Sequence, residues 1–378
     1  MKTNSKVQPL NPSTTSKLSR ILAKSLAGMA ALLLLSATML MAQAPGFLPT
    51  PVQIVSTIPG NGDVNPYGVA FVPFGFPGGV LNPGDILVSN FNNNQNLQGT
   101  GTTIIRVTPQ GSQSLFFTAS LQQAGLSTAL AALKEGLVVV GSFPTADGTC
   151  ATAQNGSLLV INGLGQQVQT IADQEFINGP WDMAVQDQGN NNVVIFVANA
   201  LSGNITRFNM TISGGALALQ SKTTIASGYM HGCNPAALVV APTGLVYDVK
   251  HDLLYVASTD DNAVFAVSQA ATRQSDAGVG QLVYQDQTHL HGALAMAAAS
   301  NGDLLVSNSD VINPDPNQPS EIVEFTTGGQ FVKELPMDPN QGGSFGLNVS
   351  VSSDGQTARF AAVDDNQSTL NIWTLPAH

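Results

Sequence analysis

Three side chains with acid–base or metal-binding chemistry stand out in the sequence, namely Asp182, His231 and His291. Asp182 occupies a position at which five similar segments of the chain carry Gly or Ala. A carboxylate beside an imidazole can transfer protons, or can hold a divalent cation that polarises a carbonyl group. These residues are therefore candidate catalytic residues, with Asp182 also a candidate metal ligand. A water-filled channel around Asp182 and solvated loop histidines explain the same residues, and no HExxH or similar spacing favours a metal.

Three aromatic residues occupy equivalent places in these similar segments. Tyr67, Trp181 and Phe345 each directly precede the position that is otherwise Gly or Ala. We expect their rings to lie at one level of a central opening, where they could form a platform for a ligand. Packing of the rings beneath surface loops is the alternative.

Asparagine recurs at the ends of short apolar runs, at Asn90, Asn199 and Asn308. If these runs are strands that end on one rim, the amides could surround a ligand, and we predict that they contact one. The alternative is structural, because an Asn at the end of a strand hydrogen-bonds to nearby backbone and shapes the turn.

The chain has two cysteines, Cys150 and Cys233, and both fall in segments predicted to be loops. An even number of cysteines in an oxidising compartment favours a disulfide, which would tie one long loop across the central opening. Two unpaired thiols that lie too far apart are the alternative.

The apolar runs recur six times along the chain, roughly 50 to 60 residues apart, which is the scale of a four-stranded repeat. They are ILVSN ending at Asn90, VVVGS at Ser142, IFVAN at Asn199, LYVAS at Ser258, LLVSN at Asn308 and FAAVD at Asp364. Residues 51–378 are therefore predicted to form an all-β, six-bladed β-propeller of four-stranded antiparallel blades. The last repeat lacks a fourth strand, and residues 52–58 are predicted to supply it and close the ring. An open β-sandwich is the alternative.

The repeats resemble those of NHL-type propellers and of the related gluconolactonase and SMP-30 class of six-bladed propellers. The clearest match is PTGLVYDVKHDLLYVASTDDNAVFAV, at residues 242–267. The resemblance implies a scaffold that hosts binding, lyase, lactonase and structural roles. The lactonases of this class place an acidic metal ligand at the first inner strand. Here that stretch reads Asn65-Pro66-Tyr67-Gly68, without a glutamate.

The first 44 residues have the order of an export signal. Positive charges come first, an apolar run follows at residues 25–41, and Ala42-Gln43-Ala44 offers small residues for cleavage. This segment is predicted to be a signal peptide or an N-terminal membrane anchor, which would make the protein secreted or periplasmic. Contact with a membrane is expected only if the segment stays uncleaved.

Composition narrows the class of partner. The chain of 378 residues carries 24 acidic and 13 basic residues, a formal charge of −11, which disfavours binding to nucleic acid.

Long polar loops at residues 91–101, 143–156 and 310–320 are predicted to share one face, called here the loop-rich face. We predict an exported binding or scaffold protein that recognises a small molecule, a glycan or a protein there. The alternative is a metal-dependent lactonase or lyase, and a divalent cation is the one cofactor that the sequence suggests.

Overall fold

The computed structural model describes residues 46–309 and 311–377, which form a six-bladed β-propeller of four-stranded antiparallel sheets, as predicted. Blades 1 to 3 follow one another along the chain. Their strands are β2 (Val64–Phe71), β3 (Ile86–Asn92), β4 (Thr103–Val107) and β5 (Gln113–Thr118); β6 (Leu126–Ala132), β7 (Leu137–Ser142), β8 (Ser157–Asn162) and β9 (Gln167–Ile171); and β10 (Pro180–Gly189), β11 (Asn192–Asn199), β12 (Asn204–Ser213) and β13 (Ala216–Ser227).

Blades 4 to 6 are preceded by a small two-stranded hairpin, formed by β14 (Gly232–Asn234) and β15 (Leu238–Val240). The strands of the three blades are β16 (Pro242–Asp248), β17 (Leu253–Ser258), β18 (Ala263–Ser268) and β19 (Gln281–Tyr284); β20 (Ala293–Ala298), β21 (Leu304–Asn308), β22 (Glu321–Phe325) and β23 (Phe331–Pro336); and β24 (Ser344–Val351), β25 (Thr357–Asp364) and β26 (Thr369–Pro376). Two short 3-10 turns, Leu121–Gln123 and Cys150–Thr152, interrupt the loops.

The chain closes its own ring. The strand β1 (Gln53–Ser56) pairs antiparallel with β26, from Gln53 opposite Ile372 to Ser56 opposite Thr369, and completes blade 6. The prediction that an N-terminal strand supplies the missing fourth strand is therefore confirmed. Closure leaves no blade with an unpartnered face, as an all-β ring requires.

Most of the hydrophobic core lies between blades, in six separate clusters, and a seventh cluster lies around Tyr67 and Trp181 beneath the loops. Each of the six clusters between blades combines residues of two neighbouring blades; Val69 and Val88 of blade 1, for example, pack against Ala361 and Val363 of blade 6. The second strand of each blade is buried on both faces, and this explains why its sequence is an uninterrupted apolar run. A blade therefore depends on both of its neighbours for burial.

Small residues begin the inner strands because the backbones approach closely there. A Cβ atom on Gly244 would lie 2.3 Å from the carbonyl oxygen of Leu294 in blade 5. A Cβ atom on Gly346 would lie 1.6 Å from the carbonyl oxygen of Tyr67 in blade 1. Neither position can take a larger residue without a shift of the neighbouring backbone.

The predicted signal segment, residues 1–44, lies outside the described residues. Within residues 46–309 and 311–377, no helix has the length and apolar character that a membrane crossing requires.

The closing strand should contribute measurably to stability through its inward side chain. Val55 is buried between blades 6 and 1, whereas its neighbour Ile54 is 62% exposed. We expect Val55→Ala to lower the free energy of unfolding by about 1–3 kcal/mol, because buried methyl groups are lost. Ile54→Ala, on the same strand, should change it by less than about 0.5 kcal/mol. Chemical denaturation measures both, and equal effects would contradict the closure of the ring by this strand.

Candidate functional site

The loop-rich face carries a small cavity of about 170 Å³, called here the top pocket. Its wall comes from parts of the chain that are far apart in sequence: the start of β2, the loop after β3, the hairpin β14–β15, the loop after β21 and the turn after β25. Long loops on a rigid ring thus build the pocket, as expected for this face. Its polar and aromatic lining includes Asn65, Tyr67, Asn92, Asn96, Gln98, Trp181, Phe345 and Asp365.

The three predicted aromatic residues meet at the base of this pocket. The ring centroid of Tyr67 lies 4.5 Å from that of Phe345 and 5.7 Å from that of Trp181. Phe91 and Phe143 pack against the same group, at 4.7 Å from Tyr67 and 5.9 Å from Trp181. The rings are largely buried, as the alternative of packing beneath loops requires, and they also line the pocket. Their use as a platform for a ligand stays a prediction.

Tyr67 also separates the top pocket from the central channel. The channel is a cavity of about 380 Å³ lined by the inner strands of all six blades, and Tyr67 borders both spaces. Tyr67 as a whole is 3% exposed. Burial and the nearby Asp365 carboxylate raise the pKa of Tyr67 well above its usual value, and a hydrogen bond with the Asn65 side chain partly opposes this. The phenol therefore stays neutral.

Irregular pairing at the start of the inner strands positions these side chains. Each of the six inner strands shows a register shift where it leaves the loop-rich face, for example between Pro66 and Val69 and between Pro180 and Asp182. Such bulges redirect the side chains beside them. Asn65 itself has φ 59°, a left-handed conformation that Asn tolerates better than most residues.

Unpaired acceptor atoms are the most unusual feature of the top pocket. Asn65 and Asn92 are 7% and 1% exposed, and the side-chain oxygen of each is buried without a hydrogen-bond partner in the described chain. The side-chain oxygen of Gln98 is in the same state. The Asn92 amide nitrogen already donates to Oδ1 of Asn96 at 2.7 Å. The pocket therefore offers acceptors that the fold leaves unused.

A carboxyl group, Asp365, completes the polar lining. Burial and the neighbouring carboxylate of Asp364 raise the pKa of Asp365 to about 8. The pKa of Asp364 is itself raised to about 6, mainly by burial and further by Asp338. Among the described residues, none donates a hydrogen bond to the Asp365 carboxyl group. This acid is therefore available to a ligand.

Asp182 lies in the central channel, below the aromatic residues, and connects two blades. Its Oδ1 accepts a hydrogen bond from the Met183 N–H at 2.8 Å, and its Oδ2 accepts one from the Leu245 N–H of blade 4 at 2.9 Å. Burial raises the pKa of Asp182 to about 7, and the two N–H donors partly oppose that shift. Asn348 makes a comparable link from blade 6, with its Nδ2 donating to the Val69 carbonyl oxygen of blade 1. These contacts assign Asp182 a structural role.

The two predicted histidines are not brought to Asp182. Nδ1 of His231 lies 2.9 Å from the Tyr229 carbonyl oxygen, whereas Nδ1 of His291 lies 2.7 Å from the Asn313 carbonyl oxygen. Neither histidine lines the top pocket or the channel. Within the part of the chain that the structure describes, no group of three His, Cys, Asp or Glu residues could hold a metal ion. The geometry does not assemble the proposed catalytic or metal site.

The three asparagines that end strands are used inside the fold. Asn90 donates to the Thr57 carbonyl oxygen at 3.2 Å, Asn199 to that of Phe176 at 3.2 Å and Asn308 to that of His289 at 2.6 Å. Each of these carbonyl groups belongs to the segment that leads into the same blade. All three asparagines are fully buried and none lines the top pocket. Their positions fit the structural alternative, in which the amide holds the turn, better than contact with a ligand.

Cys150 and Cys233 form a disulfide with Cα atoms 5.6 Å apart. It ties the 3-10 turn Cys150–Thr152, in the long loop of blade 2, to the hairpin β14–β15 that precedes blade 4. The turn of this hairpin supplies Ala236 and Ala237 to the wall of the top pocket. The cross-link therefore holds one wall of the pocket in place.

Sequence reasoning missed the polar lining of the pocket, which is Asn65, Asn92, Asn96, Gln98 and Asp365. Their one signal was the length of the loop at residues 91–101, which includes Asn92, Asn96 and Gln98. Nothing in the sequence distinguished Asp365 from Asp364 or showed that the Asn65 and Asn92 amides would lack partners.

Fold and site together define the chain as a six-bladed β-propeller protein with a capped central channel and a small acceptor-rich pocket above it. No protein-family model matches the chain, and no curated protein is similar to it in sequence. Similar solved structures include a protein provisionally named a gluconolactonase, with 12% identity, a TM-score of 0.52, and 87% of this chain and 94% of that chain covered.

Two further solved structures have the same fold. One is a Thermus thermophilus protein provisionally named a glucose dehydrogenase, with 14% identity, a TM-score of 0.51, and 85% of this chain and 100% of that chain covered. The other is the calcium-binding protein regucalcin from Agrobacterium tumefaciens, with 10% identity, a TM-score of 0.50, and coverage of 87% and 97%. The predicted likeness to six-bladed propellers of the gluconolactonase class is thereby confirmed at the level of the fold.

If Asp182 connects blades, its removal should destabilise the protein. We expect Asp182→Ala to lower the free energy of unfolding by about 1–3 kcal/mol, because the Leu245 N–H is left buried without its acceptor. Asn348→Ala, which removes the comparable link between blades 6 and 1, should have an effect of the same order. Calorimetry at constant pH measures both, and an unchanged Asp182→Ala protein would argue against the structural role.

The effect of Asp182 should also depend on pH. Its pKa is raised to about 7 in the folded protein from an ordinary value of 3.8, so the folded state holds the proton more tightly than the unfolded chain does. The resulting stabilisation is complete below about pH 4 and is lost as the pH rises through 7. The difference between wild type and Asp182→Ala should therefore be larger at pH 5 than at pH 8. A difference that grows with pH would contradict the raised pKa.

The disulfide should contribute to stability because it closes a long loop. The two cysteines are 83 residues apart in sequence, so their cross-link restricts the unfolded chain. We expect the double variant Cys150→Ser and Cys233→Ser to lose about 2–4 kcal/mol of unfolding free energy. Reduction of the wild type should produce the same loss and leave the double variant unaffected. Two thiols titrating in the denatured, unreduced wild type would show that the bond does not form.

Proposed function

We propose that this protein is an exported binding protein that recognises a small polar molecule in the top pocket. The observation that carries the proposal is the pair of buried, unpaired acceptors, Oδ1 of Asn65 and Oδ1 of Asn92, in a cavity walled by aromatic rings. A few polar groups that converge in a mainly apolar cavity are typical of binding sites for small molecules.

The energetic cost of those acceptors supports a ligand. A buried polar atom without a partner costs about 1–3 kcal/mol, and native proteins satisfy most such atoms. The top pocket therefore contains three buried amide oxygens without a hydrogen-bond partner, those of Asn65, Asn92 and Gln98. A bound molecule with N–H or O–H groups would donate hydrogen bonds to these oxygens.

Two independent features support export. The first 44 residues have the charge and hydropathy pattern of a signal segment. The disulfide between Cys150 and Cys233 is of a kind that persists mainly in oxidising compartments.

The metal-dependent lactonase or lyase alternative has the likeness of fold in its favour. That likeness comes with 10–14% identity, at which a shared fold does not carry an activity with it. The residues proposed for that chemistry, Asp182, His231 and His291, lie apart and face different partners. The binding proposal therefore fits the geometry better.

The two tryptophans of the chain allow a direct test by fluorescence. Trp181 lines the top pocket, whereas Trp373 stacks on Phe360 in blade 6, with ring centroids 4.8 Å apart. In Trp373→Phe protein, titration with a panel of small sugars, amino acids and amines should change the emission of Trp181 for the compounds that bind. Trp181→Phe protein should show no change with the same compounds.

Loss of a pocket acceptor should weaken the binding that this assay detects. We expect Asn92→Ala to raise the Kd of a bound compound about tenfold, because one hydrogen bond is lost. Asn209→Ala should leave the Kd unchanged, since that side chain bonds to Ser221 on the outside of blade 3. If no compound alters the emission, and purified protein hydrolyses gluconolactone only when a divalent cation is added, the lactonase alternative replaces the binding proposal.

A further inference from the structure

The buried side-chain atoms of the top pocket that lack a hydrogen-bond partner are all of one kind. The buried side-chain atoms lacking a partner there are Oδ1 of Asn65, Oδ1 of Asn92 and Oε1 of Gln98, and all three are acceptors. The Asn92 amide nitrogen is engaged with Asn96, and the hydroxyl of Thr259 donates to the Ala293 carbonyl oxygen at 2.7 Å. A ligand that bonds to these three atoms must therefore bring donors.

The carboxyl group that lines the pocket can take up the matching charge. Asp365 lines the pocket, and Asp364, the last residue of β25, directly precedes Asp365 in the chain. No Lys, Arg or His occurs among the described residues that line the pocket. Since the pKa of Asp365 is raised to about 8, its carboxyl group is largely protonated near neutral pH. An anionic ligand would meet no positive charge there, whereas a cation would favour the loss of that proton and would then pair with the carboxylate.

The aromatic base adds a third, independent preference. The electron-rich faces of Trp and Tyr rings attract organic cations, by about 0.5–2 kcal/mol. The ring centroids of Phe345 and Trp181 lie 4.5 Å and 5.7 Å from that of Tyr67, and all three residues border the cavity. Sugars also stack on such rings, but they carry no positive charge for the ring faces to attract.

We propose that the natural ligand of the top pocket is a small organic ammonium ion that carries N–H donors. The proposal rests on the proposed function and specifies the ligand class of the same site. The N–H groups of the cation would bond to the unpaired amide oxygens of Asn65 and Asn92, Asp365 would balance its charge, and the aromatic rings would contact its apolar part. Burial and the neighbouring Asp364 raise the pKa of Asp365, and a bound cation would oppose that shift, so its binding should release a proton from Asp365 near neutral pH.

A matched pair of probes tests this in Trp373→Phe protein, through the emission of Trp181. Cyclohexylammonium and cyclohexanol have nearly the same shape and do not absorb where tryptophan does, but only the first is charged. We expect a Kd at least tenfold lower for cyclohexylammonium. Tetramethylammonium, a cation without N–H donors, should bind more weakly than cyclohexylammonium, and cyclohexanecarboxylate should not bind.

Asp365→Asn supplies the matched variant. It should reduce the preference for cyclohexylammonium over cyclohexanol to less than about threefold. Asp354→Asn makes the same change of charge in blade 6, in an exposed turn at the other end of β24, and should leave the preference unchanged. Unfolding midpoints of both variants confirm that the pocket is intact.

The outcomes separate the two proposals. Equal affinity for cyclohexylammonium and cyclohexanol, or tighter binding of a sugar, would overturn the ammonium proposal and leave the binding function standing. Binding of tetramethylammonium as tight as that of cyclohexylammonium would show that the amide acceptors do not take part. If neither these probes nor the wider panel binds, both proposals fail.

Discussion

Burial of both faces of each sheet against neighbouring blades is the constraint on which the rest of this structure depends. A single blade has apolar side chains on two sides and no core of its own. The six clusters between blades supply that burial only if the ring is complete, and β1 therefore has to pair with β26. The close approach of backbones at Gly244 and Gly346 follows from the same requirement, because six inner strands surround one axis.

The ring also decides where polar groups can serve a ligand. Within the channel, polar side chains such as Asp182 and Asn348 are used to connect neighbouring blades. At the strand ends, Asn90, Asn199 and Asn308 bond to the segments that lead into their blades. Residues whose chemistry suggested catalysis or recognition are thus largely engaged in holding the fold. Several acceptors stay unpaired elsewhere in the fold, such as Oδ1 of Asn90 and of Asn308, but those of Asn65, Asn92 and Gln98 belong to residues that line one cavity, the top pocket.

The top pocket owes its shape to two additions to the basic ring. The aromatic group around Tyr67 closes the channel and forms the base, and the hairpin β14–β15 covers one side. The disulfide between Cys150 and Cys233 fixes this hairpin to a loop of another blade. A pocket held in this way is preorganised, which reduces the entropic cost of binding a small molecule.

The sequence by itself determined the architecture, because burial on both faces imposes a periodic pattern of apolar runs and small residues that can be read directly. The repeats ending at Asn90, Ser142, Asn199, Ser258, Asn308 and Asp364 predicted six blades, and the missing strand of the last repeat predicted closure by the N-terminal strand. The shared level of Tyr67, Trp181 and Phe345 was also predictable, since equivalent positions of a repeat lie at equivalent heights.

The binding site was not predictable in this way. Asn65 and Asn92 lie on neighbouring strands of blade 1, whereas Asp365 lies in the turn after β25 of blade 6. Whether an amide oxygen is paired or left open depends on the side-chain contacts around it. Only the tertiary structure decides those contacts, because they follow from the packing of non-repeating loops and leave no periodic trace in the sequence.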